Sequence, residues 1–246
     1  MKSYPRTEKY DSNWIYKNWM GPNPLWLLED LCEHMDFRPD MKVLDMGCGK
    51  GITSVFLAKE YGVTVFANDL WISATDNLRR FEEAGVADRV FPIHAEAHAL
   101  PYAEGFFDAA IAVDCYNYFG ACENYFPDVF SKLVKPGGQL GFVHPGLVRE
   151  YPKGYPDSLE GVWVPEMFNW HSKDWWAHLW GKTGLCKITT CYDMDDAKSL
   201  WRAWADWSLE HFEEEWGEPG DVDAKLLDAD TNDDLTIVVM AARKVR

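Results

Sequence analysis

A chain of 246 residues that is 47% hydrophobic can bury one substantial core with room for an insertion, and no run of roughly 18 or more apolar residues offers a membrane span. A formal net charge of −16, with no cluster of Lys and Arg, excludes the basic track that a phosphate backbone requires; the expected partner is a small molecule, not nucleic acid or membrane. Residues 1–6 lack the apolar stretch of a secretion signal, and six cysteines without a C-x-x-C pair read as reduced thiols with no metal site, so the expected location is cytoplasmic. Nothing here fixes the oligomeric state.

Residues 10–23 are too aromatic for a disordered tail. Residues 23–35 read as a helix, with Leu25, Leu28, Leu31 and Cys32 on one face after the turn Gly21-Pro22. A first strand spans 42–46 and a helix 52–61, stopped by Gly62. Between them lies Val43-Leu44-Asp45-Met46-Gly47-Cys48-Gly49-Lys50-Gly51, a hydrophobic strand that ends in an acid and passes through three alternate glycines into a helix. Glycine lets a ligand approach the bare main chain, and an open α/β sheet holds nucleoside cofactors in this way at the end of its first strand. The spacing is G-x-G-x-G. The dinucleotide pattern G-x-G-x-x-G is absent, because Ile52 stands where the third glycine would fall.

A second strand, 63–68, ends at Asp69, and residues 73–84 are helical. Strands follow at 90–94 and 108–113, then a helix at 124–134, the turn Lys135-Pro136-Gly137-Gly138 and a fifth strand at 139–144. Strand and helix alternate throughout, which predicts a parallel sheet with helices on both faces. The pattern breaks at 145–170, rich in proline and glycine and too irregular for the sheet; residues 145–171 are expected to be an insertion over the strand ends. A helix at 172–183 (Ser172 as N-cap), a strand at 186–192, a long helix at 195–212, an acidic turn and a last strand at 235–242 complete a seven-stranded sheet. In the long helix Leu200, Trp201, Trp204, Trp207 and Leu209 are expected to face the core. Nine of the thirteen tryptophans lie beyond position 160. They read either as core packing for these helices or as an aromatic pocket lining.

These residues resemble a class I S-adenosylmethionine-dependent methyltransferase of the broad small-molecule, ubiquinone-biosynthesis-related group. The glycine loop resembles the family's first motif. Asp69 stands at the end of the second strand. Glu96-Ala97-His98-Ala99-Leu100-Pro101-Tyr102 resembles the segment after the third, and Phe107-Asp108 and Leu133-Val134-Lys135-Pro136-Gly137-Gly138 match the entries to strands four and five. The resemblance covers roughly residues 40–145. It implies an α/β, doubly wound Rossmann-like sheet of order 3-2-1-4-5-7-6 with its last strand antiparallel, in one domain over 1–246 with an N-terminal helical lid at 1–38.

The resemblance also implies S-adenosylmethionine as cofactor, with S-adenosylhomocysteine as product. The amides of Gly47, Cys48, Gly49 and Gly51 would approach its amino-acid and ribose portions. Asp45 would brace the loop or meet the ammonium, and Asp69 would accept the ribose hydroxyls in charge-assisted hydrogen bonds. Leu70 and Trp71 would flank the adenine. Glu96, where the family usually has Asp, would accept from the exocyclic amine beside the Ala97 amide, and Val113 and Asp114 would lie near the methionine portion. Helix capping by Asp69 and an exposed loop role for Glu96 are the competing readings.

Methyl transfer is an in-line displacement in which a base is optional. His144 and Asp114 are the catalytic candidates, His144 having a structural role as its alternative. Tyr116, Asn117 and Tyr118 are suited to line a pocket. In related enzymes the N-terminal segment closes over the cofactor, so Tyr16, Trp19 and Asn23 are further pocket candidates, unless that segment packs on the outside. Methylation of a small molecule is the leading expectation. A non-catalytic S-adenosylmethionine-binding sensor or scaffold is the alternative, and an NAD-dependent oxidoreductase is disfavoured by the glycine spacing.

Overall fold

The computed structural model describes residues 2–210 and 221–245. Its frame is a seven-stranded sheet: β1 (Lys42–Met46), β2 (Thr64–Asp69), β3 (Val90–His94), β4 (Phe107–Val113), β5 (Val134–Leu147), β6 (Cys186–Asp193) and β7 (Leu235–Lys244), in the order 3-2-1-4-5-7-6. Strands β1 to β5 pair in parallel, and β7 runs antiparallel to both β5 and β6. The expected topology is borne out. The central strands are near-continuous apolar runs because both faces are covered, as parallel sheets require.

Successive side chains of a strand point to opposite faces, and this alternation divides the core. One layer takes Val43, Ile111, Val143 and Val239 together with Leu28, Leu31, Phe56 and Phe81. The other takes Leu44, Ala110, Phe142 and Met240 with Phe130, Trp176 and Trp180. The first layer is covered by α2 (Pro24–Cys32), α3 (Ile52–Tyr61) and α4 (Ala74–Glu83), the second by α7 (Lys173–Gly181) and the helical turns between 117 and 133. Those turns are α5 (Asn117–Gly120), a wide turn over Phe126–Phe130, and α6 (Ser131–Leu133). The predicted 124–134 helix therefore starts in a wider winding, where Pro127 offers no backbone donor.

The N-terminal segment forms α1 (Ser12–Asn18), capped by Asp11, whose side chain accepts from the Trp14 amide. Further upstream, Glu29 of α2 accepts from the amides of Arg6 and Thr7 and from the Thr7 hydroxyl, at 2.7–2.9 Å. Tyr4 stacks on Trp26.

Three expectations need correction. Strand β5 continues through Pro145 and Gly146 to Leu147, because β7 keeps pairing as far as Thr236 and Leu235, so the insertion begins at Val148 and not at Pro145. The long helix is α8 (Ala197–Glu210), in which Leu200 and Trp201 are buried and Trp204 and Trp207 half-buried, but Leu209 is 48% exposed; its expected end at Phe212, and the first part of the acidic turn, lie outside the described residues. The rest of that turn is a helix, α9 (Asp221–Ala229). Among its residues Ala224, Leu226 and Leu227 are buried against Trp201, Ala205 and Leu235. Among the described residues, no helix is long and apolar enough to cross a membrane.

Candidate functional site

The glycine loop leaves β1 and enters α3 at Gly51, its N-cap residue. The amides of Gly47 and Cys48 both donate to the Asn68 carbonyl, at 2.8 and 3.0 Å, which ties the loop to the end of β2. Gly47 has φ +67°, and a β-carbon there would fall 2.5 Å from the Cys115 sulfur. Only glycine combines that backbone with that proximity. Beneath the loop, Asp45 is wholly buried. Its Oδ2 accepts from the Thr53 and Ser54 hydroxyls at 2.6 Å each, while Oδ1 has no partner among the described residues. Burial pushes its pKa up to about 6, against the pull of those two hydroxyls.

Asp69, at the tip of β2, is held by three amides. Its Oδ2 accepts from Gly49 (2.8 Å), and its Oδ1 from Trp71 (2.7 Å) and Ile72 (2.8 Å). A carboxylate offers about four lone-pair sites, so three fixed donors set its orientation and leave capacity for a ligand hydroxyl. After β3, Glu96 accepts from both the amide and the ring Nδ1 of His98, and the imidazole beside it holds its carboxyl below the usual range. After β4, Asp114 adopts a left-handed backbone, φ 57°, uncommon for a residue with a side chain.

These strand ends open on one cavity of about 470 Å³. Of the candidates from sequence, Gly47, Cys48, Gly49, Asp69, Leu70, Trp71, Glu96, Ala97, Val113, Asp114 and Tyr118 line it. Trp71 and Tyr118 are exposed at its rim, with their rings 5.6 Å apart edge to face. Lys50 also lines it, with its ammonium pKa lowered to about 8 by burial and by Arg80.

The remaining candidates stand elsewhere. Asp45 lies beneath the loop, and Gly51, at the loop's end, backs onto the Phe81 ring. Tyr16 stacks on Trp207, at 4.6 Å, and the buried Trp19 packs edge to face on Trp204 and Trp207. Asn23 is buried as the N-cap of α2, accepting from the Leu25 amide. Tyr116 is wholly buried, stacked on Phe142, with its hydroxyl accepting from the Trp180 indole. Asn117 is buried, its side-chain oxygen without a partner among the described residues.

His144 is the main correction. It shares its face of β5 with Phe142, stacks on that ring at 4.7 Å and meets Trp176 edge to face. Its Nδ1 lies 2.7 Å from the Pro145 carbonyl, so that nitrogen carries the proton, and Nε2 has no partner among the described residues. Burial pushes its pKa down to about 4. A neutral imidazole on the far side of the sheet is a core residue. It is Pro145, one position on, that lines the cavity.

The rest of the wall includes Met20, Gly21 and Pro22 from the turn before α2 and Asp223 from α9, none of them singled out for the site from sequence, and Trp170, Trp201 and Trp204, tryptophans for which the sequence left core packing and pocket lining both open. Gly21 rests against Asp114: a β-carbon at Gly21 would fall 1.7 Å from Asp114 Oδ2. The Trp201 indole donates to Asp223 Oδ1 at 2.9 Å. The i, i+4 spacing of Val222 and Leu226 was the signal available for α9, masked by the acids around it.

Comparison with known proteins agrees with this geometry. Residues 43–138 match a family model described as a methyltransferase domain. The methyltransferase GfsG of Streptomyces halstedii is 31% identical over 115 residues, 46% of this chain and 41% of that protein. A sarcosine/dimethylglycine N-methyltransferase of Halorhodospira halochloris is 30% identical over 117 residues, 47% of this chain and 42% of that one. The chain thus spans less than half the length of the curated relatives it matches. The crystal structure of geranyl diphosphate C-methyltransferase from Streptomyces coelicolor, bound to S-adenosylhomocysteine, superposes with a TM-score of 0.70 at 18% identity, over 89% of this chain and 78% of that one. The glycine loop and the carboxylate at the tip of β2 thus lie within the residues that match a methyltransferase domain, on a sheet whose fold is shared with a methyltransferase of known structure.

Proposed function

We propose that this chain transfers the methyl group of S-adenosylmethionine to a small-molecule acceptor. The observation that carries this reading is the Asp69 carboxylate, fixed by three amides and facing the same cavity as the bare Gly47–Gly49 backbone. The residues present fit the cofactor. Asp69 receives the ribose hydroxyls, the Gly47 and Gly49 main chain admits the sugar and amino-acid portions, and Leu70 and Ala97 flank the adenine, with Glu96 at its amine. Asp45 acts from below, holding the first turn of α3 through Thr53 and Ser54.

Bound there, S-adenosylmethionine supplies an electrophilic methyl on a sulfonium. The protein aligns the acceptor with it and excludes water, the main contributions available to an in-line displacement. The names of the relatives support a small acceptor, since they include sterol, squalene and sarcosine methyltransferases. Six unbridged cysteines favour a reducing compartment such as the cytoplasm. Calorimetric titration with S-adenosylmethionine and S-adenosylhomocysteine checks the reading: saturable binding of both, and none of NAD, is expected. Absence of uptake would sink it, and tight binding without S-adenosylhomocysteine release across an acceptor panel would favour a non-catalytic sensor.

A further inference from the structure

The cavity wall beyond the glycine loop combines two acids with three indoles. Asp114 lines the cavity, is half-buried, and among the described residues its carboxyl has no hydrogen-bond or ion-pair partner. Asp223, from a different part of the chain, lines the same cavity, and its described partner is the Trp201 indole. Trp170 meets Trp201 edge to face at 5.3 Å, and Trp204 completes the indole lining.

We propose that the methyl acceptor is a small amine, held as its cation between the Asp114 and Asp223 carboxylates with the indoles of Trp170, Trp201 and Trp204 around it. This rests on the methyltransferase reading above. Two carboxyls in one enclosed space are unfavourable when both are ionised and nothing opposes them. Accordingly burial, and the proximity of Asp223, raise the Asp114 pKa well above the ordinary carboxylate range, and burial raises that of Asp223 to about 6. An ammonium removes that penalty, and indole rings attract it further through their quadrupoles. A neutral acceptor, such as an alkene, leaves both carboxyls uncompensated. Space argues the same way. About 470 Å³ is near the lower end of the roughly 300–1,000 Å³ that a single drug-sized ligand occupies, and this cavity must hold a nucleoside cofactor besides the acceptor.

The proton balance follows. The acceptor enters as an ammonium and gives one N–H proton to one of the two carboxylates. The freed nitrogen lone pair forms the bond to the methyl carbon, and the carbon–sulfur bond breaks with its electron pair going to sulfur. The product is a neutral thioether and an amine carrying one more methyl and the positive charge. The carboxylic acid then releases its proton to water.

The test uses a fixed cation and its neutral isostere. The whole protein is saturated with S-adenosylhomocysteine and titrated calorimetrically with choline or with 3,3-dimethyl-1-butanol. Saturable choline binding is expected, about tenfold or more tighter than the alcohol, a preference of the size that desolvated cation–π contact provides. Asp223→Asn should erase most of that preference while S-adenosylhomocysteine still binds; Asp114→Asn serves as the second variant should the first fail to fold. Equal affinity for the two probes, or no choline binding by protein that does bind S-adenosylhomocysteine, overturns the amine assignment alone. Failure to bind S-adenosylhomocysteine overturns the methyltransferase reading beneath it.

Discussion

The glycine-loop end of the cavity is supplied by residues 46–115, delivered in order by the tips of β1, β2, β3 and β4. The tryptophan end is assembled from Gly21, Trp170, Trp201, Trp204 and Asp223, drawn from four separate stretches of chain. The first end is held by main-chain hydrogen bonds within the loop and to β2. The second is held by side-chain packing, chiefly the cluster of Leu226, Leu227, Leu235, Ala205 and Trp201. Backbone geometry of the first kind is insensitive to side-chain identity except at the glycines and the acid. Packing of the second kind can change with each side chain, so on the proposed function that end is where the acceptor would be altered while the cofactor is kept.

The largest expected effect breaks the second end alone. Leu226 is fully buried under α9, and Leu226→Ala should cost about 2–5 kcal/mol of stability, the range for emptying a core leucine site. Chemical denaturation measures that loss. Below the unfolding transition the variant should bind S-adenosylhomocysteine as the parent does, and a parallel loss of that affinity would show that the two ends are one unit.

Two buried ionisable groups sharpen the contrast, with opposite signs. Asp45 has its pKa raised from 3.8 to about 6. The unfolded chain ionises it first, so its contribution to stability is complete below pH 3.8 and is lost as pH rises through 6. That gap is worth about 3 kcal/mol. Asp45→Asn should therefore make the empty protein more stable at pH 8 by up to that amount, with no difference at pH 3.8 or below. Thermal melts across that range decide it, and a destabilised variant at pH 8 would show that the Thr53 and Ser54 hydroxyls require the charge. A charge that costs stability where it stands belongs to the loop's work and not to the fold.

His144 behaves in reverse. Its pKa is lowered from 6.5 to about 4, so its contribution is complete above pH 6.5 and is lost as pH falls towards 4, again about 3 kcal/mol. Asp45 and Asp223 oppose it in the same window, so the readout is the difference between parent and His144→Phe. That difference should shift against the parent as pH falls from 6.5 to 4. A flat difference would place the imidazole in contact with water.

At the glycine-loop end, Asp69→Ala should weaken S-adenosylmethionine by about 1.5–3 kcal/mol, the range for hydrogen bonds to a charged group, or roughly tenfold to 150-fold. Part of that loss comes from the amides of Gly49, Trp71 and Ile72, left without their acceptor. Titration calorimetry with unchanged affinity would remove Asp69 from the cofactor site.

What the sequence discloses divides along the same line. Residues 43–51 and Asp69 are legible because loop, cap and carboxylate are neighbours along a strand–turn–helix, where spacing alone dictates geometry. Asp223 is illegible because its place depends on α9 packing against Trp201 and Leu235, and its acidic surroundings resemble a turn. His144 misleads for a different reason. Strand parity puts alternate residues on opposite faces, and counting from Phe142 sends His144 to the Trp176 side and leaves Pro145 at the cavity. Tyr116 and Tyr118 divide in the same manner, one sealed against Phe142 and the other half-exposed at the rim.

The smallest expected effect tests how far that reading of α8 extends. Helical periodicity assigned both Leu200 and Leu209 to the core, yet Leu200 is 1% exposed and Leu209 is 48% exposed. An apolar stripe with a period of 3.6 faces a core only while the core continues alongside it. Here the buried residues are Ala197, Leu200, Trp201 and Ala205, towards the start of the helix, with Trp204 and Trp207 packed half-buried beside them. Leu209→Lys should therefore alter stability by no more than about 0.5 kcal/mol, the usual scale for a surface change. A loss several times larger in denaturant titration would mean that the far end of α8 is covered in solution, and that the tryptophan end of the cavity is more enclosed than its described walls.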